Sequence, residues 1–261
     1  MKIGVCTSPD NMHLVAELGY DYIEPNVSWM VGLDGETFAE KTAIVQAFPI
    51  KAESFCIFFP KGTQLYAPDG DQGPLLQAIA AFAEKGFSRA ASWGGKIAVI
   101  GSRFVRGIPE GMTREETERQ FISVLKVLGE RAHKYGMRIV VEPLSRNECN
   151  YIHTVEEGAA VAAAAGHSAV GVLVDFYHLW NNGDDMTALP TYTDLLRHAH
   201  FTRRNDRLAP RHGDEETLKA VAEVLARCPG IERISLECSW KSEFETAIRE
   251  ARPLMEVFKS V

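Results

Sequence analysis

No stretch of this sequence runs to the ~18 apolar residues that a membrane-crossing helix needs. The apolar start, Met1-Lys2-Ile3-Gly4-Val5-Cys6, breaks off before it makes a signal-peptide core. Neither a membrane nor export is expected, and a cytoplasmic setting is. An excess of positive charge is also lacking, since 28 Lys and Arg against 35 Asp and Glu leave a formal charge of −7. That balance repels polyanions, so small solutes are expected as partners rather than nucleic acid or an anionic bilayer. Cysteine is sparse. Cys6, Cys56, Cys149, Cys228 and Cys238 are odd in number and contain no C-x-x-C, which indicates neither a disulfide framework nor a thiolate zinc site. There is no G-x-S-x-G elbow, Walker loop or dinucleotide fingerprint, and nucleotide-dependent chemistry is set aside.

What is present is an alternation. With 46% hydrophobic and 24% charged residues the chain is composed like a globular protein rather than a disordered one. Short β-rich runs recur eight times, at Lys2-Cys6, Tyr20-Glu24, Ile50-Phe55, Lys96-Ile100, Arg138-Glu142, Val170-Asp175, His198-Thr202 and Glu232-Glu237, each followed by a helical pattern. Two helix starts carry a capping box, Thr113-Arg114-Glu115-Glu116 and Thr154-Val155-Glu156-Glu157, and Gly136 and Gly166 mark the ends. From Thr113 to Tyr135, Phe121, Val124, Leu125 and Leu128 form one apolar face, as on an outer barrel helix. No linker-like stretch interrupts the series. The fold class predicted is α/β, a single (β/α)8 TIM barrel over residues 1–261. Two long connections, Phe58 to Gly73 and Gly101 to Met112, follow strands and belong on the catalytic face of such a barrel.

On that face, successive strands close on Glu142, Asp175 and Glu237, and the strand between the last two carries His200. Any one of these carboxylates has a plain reading as a helix cap or surface charge. Together they aim three carboxylates and an imidazole into one barrel mouth, where like charges repel unless a cation neutralises them. Three oxygens and one nitrogen without sulfur favour Mn²⁺, Mg²⁺ or Co²⁺ over structural Zn²⁺, although zinc also accepts these ligands.

At these residues the chain resembles the xylose-isomerase-like barrels of sugar-phosphate isomerases and epimerases, a group that includes ketose 3-epimerases. The resemblance covers nearly the whole chain. It is most specific at Ile139-Val140-Val141-Glu142-Pro143-Leu144-Ser145-Arg146-Asn147-Glu148, at Leu173-Val174-Asp175-Phe176-Tyr177-His178, and at Glu237. It implies that Glu142, Asp175, His200 and Glu237 bind a divalent metal, Mn²⁺ foremost, and that Glu142 and Glu237 exchange the substrate proton. It also implies substrate contacts from Glu148, His178 and an arginine after His200. Arg207 is the first choice for that arginine, with Arg203 and Arg204 as alternatives. A homo-oligomer, dimer or tetramer, is expected.

The activity predicted is that of a metal-dependent sugar or sugar-phosphate isomerase or epimerase acting through an enediolate, with Glu142 and Glu237 as base and acid. A lyase on the same scaffold, a keto-polyol dehydratase or a carbon-glycoside-cleaving enzyme, is the alternative. An abasic-site endonuclease is disfavoured by the net charge, and a non-catalytic sugar-binding barrel by the presence of both glutamates. A second metal, as hydride-shift isomerases use, would find only Asp184 and Asp185. Five arginines, Arg197, Arg203, Arg204, Arg207 and Arg211, against the one acid Asp206 read either as surface or as a phosphate or carboxylate clamp. Trp29, Phe58, Phe59, Trp180 and Trp240 are candidates for an aromatic wall. His198 is expected to face away from His200 and to pack, and Glu24 is left open between an internal acid and a contact to a distal hydroxyl.

Overall fold

The computed structural model describes residues 1–240 and 243–261. At its centre run nine parallel strands: β1 (Lys2–Val5), β2 (Tyr22–Ile23), β3 (Lys51–Ala52), β4 (Ser54–Phe55), β5 (Ile97–Ile100), β6 (Arg138–Val141), β7 (Val170–Asp175), β8 (Leu196–Phe201) and β9 (Arg233–Leu236). They pair in the order β3-β2-β1-β9-β8-β7-β6-β5-β4. The two ends of that row, β3 and β4, are separated by Glu53 alone, so one chain segment brings the sheet round to a nearly closed barrel. The eight expected strands are therefore eight wall positions, the third of them broken in two. Lys51 and Ala52 pair with β2, whereas Ser54 and Phe55 pair with β5. Glu53 marks the changeover, and its carbonyl accepts from the N–H groups of Lys96 and Ile97.

Helices cover the outside for the reasons legible in their caps. Thr113 Oγ1 accepts from the Glu116 N–H while the Glu116 carboxylate accepts from the Thr113 N–H, and the helix Arg114–Lys134 follows. Thr154 and Glu157 repeat the arrangement for the helix Val155–Ala165. Each such cap is worth about 1 kcal/mol. Past the helix ends, Gly136 and Gly166 take φ of 65° and 63°, a left-handed turn that a glycine adopts without a Cβ clash. The face of Phe121, Val124, Leu125 and Leu128 is buried, as its spacing predicts.

Inside the barrel, the two-residue period of a strand decides what meets what. Ile97, Val99, Val140 and Leu173 form a small apolar cluster of their own. Tyr22, Ser54, His198 and Ser235, also fully buried, fill the other side with polar groups. Gly4 makes room there, because a Cβ on it would lie 2.2 Å from the Tyr22 ring. Two residues further along the same strands come Glu24, Glu142, Asp175, His200 and Glu237, one layer nearer the C-terminal mouth. The long connections leave β4 and β5 at that end, and the second folds a short helix, Arg103–Arg106.

Candidate active site

One ligand atom from each of Glu142, Asp175, His200 and Glu237 lies within 4.8 Å of the other three. His200 Nδ1 stands 3.5 Å from Glu142 Oε1, 3.9 Å from Asp175 Oδ2 and 3.6 Å from Glu237 Oε2. Glu142 Oε1, Asp175 Oδ2 and His200 Nδ1 are all buried without a hydrogen-bond partner. Buried polar atoms are almost always partnered, so three orphans around one point mark a place for a ligand. Lone pairs are what these atoms offer, and a divalent cation fits them.

Each member of the cluster is held from a different direction. Asp175 does two jobs at once. Its Oδ1 caps the helix Phe176–Asn182 by accepting from the N–H groups of Tyr177 at 2.7 Å and His178 at 3.2 Å, which leaves Oδ2 for the cluster. Gly101 leaves space for Glu142, since a Cβ there would come within 1.6 Å of Oε2. Behind the same residue the buried Arg106 guanidinium donates to the Glu142 carbonyl. Glu237 Oε2 accepts from Arg207 Nη2 at 2.8 Å.

His200 is held by Glu24, whose role the sequence left open. Glu24 Oε1 is 2.9 Å from His200 Nε2, and Oε2 is 2.9 Å from His198 Nε2 and 2.5 Å from Ser235 Oγ. Tyr22 completes the chain with its hydroxyl 2.7 Å from Ser235 Oγ. Burial opposes a charge on Glu24, yet the two imidazoles overcome it and hold the carboxyl well below the usual range. An ionised carboxylate only accepts, so the His200 proton is drawn to Nε2 and Nδ1 is left as a ligand. Glu24 is thus an internal acid, fully engaged. His198 is corrected with it. Residues two apart on a strand share a face, so His198 points inward beneath His200, with ring centroids 5.0 Å apart, rather than away from it.

The field at the cluster asks for positive charge. Burial pushes the Asp175 carboxyl up, and the charges of Glu237 and Glu142 push it further. His200 is disfavoured as a cation by burial, but Glu24 and Glu237 outweigh that and raise it. Burial works against the Glu237 charge too, and there His200 and Arg207 win and hold the carboxyl low.

The residues expected to meet substrate surround one cavity of 390 Å³, which Glu142, Glu148, His178, Arg207 and Glu237 all line. Glu148 Oε1 pairs with Arg207 Nη1 at 3.3 Å and Oε2 with Arg103 Nη1 at 3.1 Å. His178 Nδ1 accepts from the Ser145 N–H at 3.1 Å. Burial holds this imidazole down to about 4, so the ring is neutral and its proton sits on Nε2. Of the three arginines, Arg207 is the one at the cavity. It takes φ of 55° and lies 4.8 Å over the Tyr177 ring, whereas Arg203 pairs with Asp206 and Arg204 is exposed. Arg203 and Arg204, open in the sequence between surface and an anion clamp, sit on a turn whose own acid, Asp206, binds the first of them. Asp184 and Asp185 line a separate cavity, where Asp185 accepts from the Thr187 N–H, and belong to no ligand cluster among the described residues. Trp29 and Trp240 line a second cavity beside Glu237, Phe59 lines the first, and Phe58 and Trp180 pack into aromatic clusters. Arg103, Ser145, Tyr177 and Gly101 have no role that the sequence assigns, because each acts through a partner distant along the chain.

A profile of the family described as xylose isomerase-like TIM barrel matches residues 12–260. Over 144 residues the chain is 29% identical to 3-dehydro-D-guloside 4-epimerase of Escherichia coli K12, covering 53% of this chain and 51% of that protein. Over 124 residues it is 27% identical to a probable endonuclease 4 of Mesomycoplasma hyopneumoniae strain 7448, covering 44% of each. The matched stretches thus span about half the length of these curated relatives. The D-psicose 3-epimerase from Clostridium cellulolyticum H10, solved with D-tagatose, superimposes with a TM-score of 0.82 at 19% identity over 100% of this chain and 99% of that one. This last likeness establishes the shared fold.

Proposed function

The chain belongs to the xylose isomerase-like TIM-barrel family, and on that premise we propose that it is a divalent-metal-dependent sugar isomerase or epimerase that moves a proton through an enediolate. We take residues 1–261 to work as one barrel. The observation that carries the reading is the cluster of Glu142, Asp175, His200 and Glu237, with three orphaned lone-pair atoms facing one point between two glutamates. These four residues would hold the cation, and Mn²⁺, Mg²⁺ and Co²⁺ suit the set, with Zn²⁺ also accepted. Bound there, a divalent cation would draw electron density from a substrate carbonyl and acidify the neighbouring C–H.

The rest is the work of side chains. Glu237, kept ionised beside Arg207, takes the proton from the carbon next to the carbonyl. Glu142 supplies a proton to the opposite face or to the neighbouring carbon, and the reverse reaction exchanges the roles. His178 donates its Nε2–H to a substrate oxygen, with Ser145 fixing the ring from behind. Arg207 and Glu148 form a paired wall that orients hydroxyl groups.

The endonuclease relatives do not redirect this reading. Further metals would need ligands beyond the four, and among the described residues the other two ligand groups both depend on Glu24, whose oxygens are already engaged by His198, His200 and Ser235. Turnover of a ketose panel by Mn²⁺-loaded protein in D₂O tests the proposal. Deuterium is expected on the carbon alpha to the carbonyl in product and in recovered substrate. Efficient conversion with no deuterium in either pool would defeat proton transfer.

A further inference from the structure

The sequence has no C-x-x-C, yet the fold brings two cysteines from distant strands to one point. Cys6 follows β1 and Cys56 follows β4, both at the C-terminal mouth of the barrel. Between them runs the continuation of β2, where Asn26 forms a parallel bridge with Cys56. The two sulfurs and one Glu24 oxygen lie within 4.8 Å of one another. Cys6, half-buried, and Cys56, buried, both line the 520 Å³ cavity beside Glu237. The Cys56 thiol donates to Asn26 Oδ1 at 2.8 Å, which holds that side chain in place.

Backbone spacing decides what such a pair can do. Neighbouring strands stand about 4.8 Å apart, so two cysteines with a strand between them have backbones about 9–10 Å apart. A disulfide needs Cα atoms within about 7 Å, and these two cannot join without backbone movement. They can share an ion. A bond from thiolate to metal is about 2.3 Å, so two sulfurs on opposite sides of one ion stand about 4.6 Å apart, and closer when the angle bends. The charges around them agree. Burial pushes the Cys6 thiol up, and Cys56 and the charges of Glu24 and Glu237 push it further. A thiol in that field is a poor nucleophile, but the same negative charges attract a cation. Arg207, the cation that lines this cavity, is already paired with Glu237 and Glu148.

We propose that Cys6 and Cys56 form a second metal site, for a soft thiophilic cation such as Cu⁺ or Cd²⁺, separate from the catalytic cluster. The site goes beyond the sugar reading and does not depend on it. Each thiol gives its proton to solvent as its sulfur–metal bond forms, so a proton leaves for every bond made. Glu24 contributes charge rather than a bond, because its oxygens are engaged by His198, His200 and Ser235. Ligand type divides the two sites. Three carboxylates and an imidazole suit Mn²⁺ or Mg²⁺, whereas a pair of sulfurs selects a soft ion. The cavity gives that ion a way in, and an ion bound there shares the cavity wall with Glu237.

Cadmium is the probe, titrated into protein held in excess Mn²⁺. The catalytic cluster contains no sulfur, so ultraviolet absorption from sulfur-to-cadmium charge transfer reports on thiols alone. The absorption is expected to saturate at about one Cd²⁺ per chain and to persist as Mn²⁺ is raised further. Cys6→Ser and Cys56→Ser should each weaken Cd²⁺ binding by at least about tenfold, since each removes one of two soft ligands. Cys238→Ser, at the same cavity but outside the ligand group, should leave the absorption unchanged. Calorimetry with Mn²⁺ on each variant verifies an intact barrel, and an alanine replaces any serine that fails this check. No absorption, absorption that survives loss of either Cys6 or Cys56, or absorption that added Mn²⁺ abolishes would each overturn the site.

Discussion

The two sides of the barrel interior support the same cluster by different means. Beneath Glu142 and Asp175 lie Val140 and Leu173, which offer no hydrogen bonds, so those carboxylates are placed from above by the Gly101 gap and the helix Phe176–Asn182. Beneath His200 and Glu237 lie His198 and Ser235, joined through Glu24 and Tyr22 into one hydrogen-bonded chain. The carboxylates over the apolar side each keep an orphaned oxygen, whereas both Glu24 oxygens are engaged. The difference separates two kinds of buried acid: one that has spent its lone pairs is scaffold, and one that has kept a lone pair is a site.

The comparison breaks most sharply at the glutamates that exchange protons. Glu142→Gln and Glu237→Gln should each lower turnover by roughly 10²- to 10⁴-fold, the usual worth of an acid-base group. Steady-state kinetics at saturating Mn²⁺ checks this, and an activity loss that extra metal restores would assign the two residues to binding alone. On the apolar side, Leu173→Ala should cost about 2–5 kcal/mol of stability in urea unfolding through the cavity it leaves. Metal affinity should move little, because Asp175 is held by its helix cap. On the polar side the order reverses. Glu24→Gln should weaken metal binding about 10- to 100-fold by calorimetry, as loss of the outer partner of a ligating imidazole usually does. Unaltered affinity would show that Nδ1 of His200 needs no help from below.

How much of this was legible in the sequence follows the range of each signal. Strand ends and helix caps are local, so the β-runs, Thr113 with Glu116, and the alignment of Glu142, Asp175, His200 and Glu237 could be read from short windows. The break at Glu53 could not, because it arises where one strand changes partners between β2 and β5. The placement of Arg207 against Glu148 spans 59 residues and that of His200 against Glu24 spans 176, and no short pattern encodes either. His198 is the instructive case. Its position was available from the two-residue period of a strand, and the error lay in the parity, which the shared contact with Glu24 makes plain.

The smallest effect expected is also the one that tests how His178 is held. Its imidazole is pushed from the ordinary 6.5 to about 4, first by burial and then by the Arg207 charge, while Glu237 and Glu148 pull the other way. The Ser145 N–H that Nδ1 accepts fixes the neutral ring and leaves Nε2–H for the substrate. The unfolded chain protonates this residue near pH 6.5 and the folded protein near 4. The contribution is therefore fully present above 6.5 and is lost as the pH falls through the window down to 4. Between pH 6 and pH 5 the unfolded state carries close to one proton more at this position, which removes about 1 kcal/mol of stability. Urea unfolding at the two pH values should show wild-type protein losing that much more than His178→Gln. Identical losses would mean that the ring titrates in the folded protein as it does in the unfolded chain.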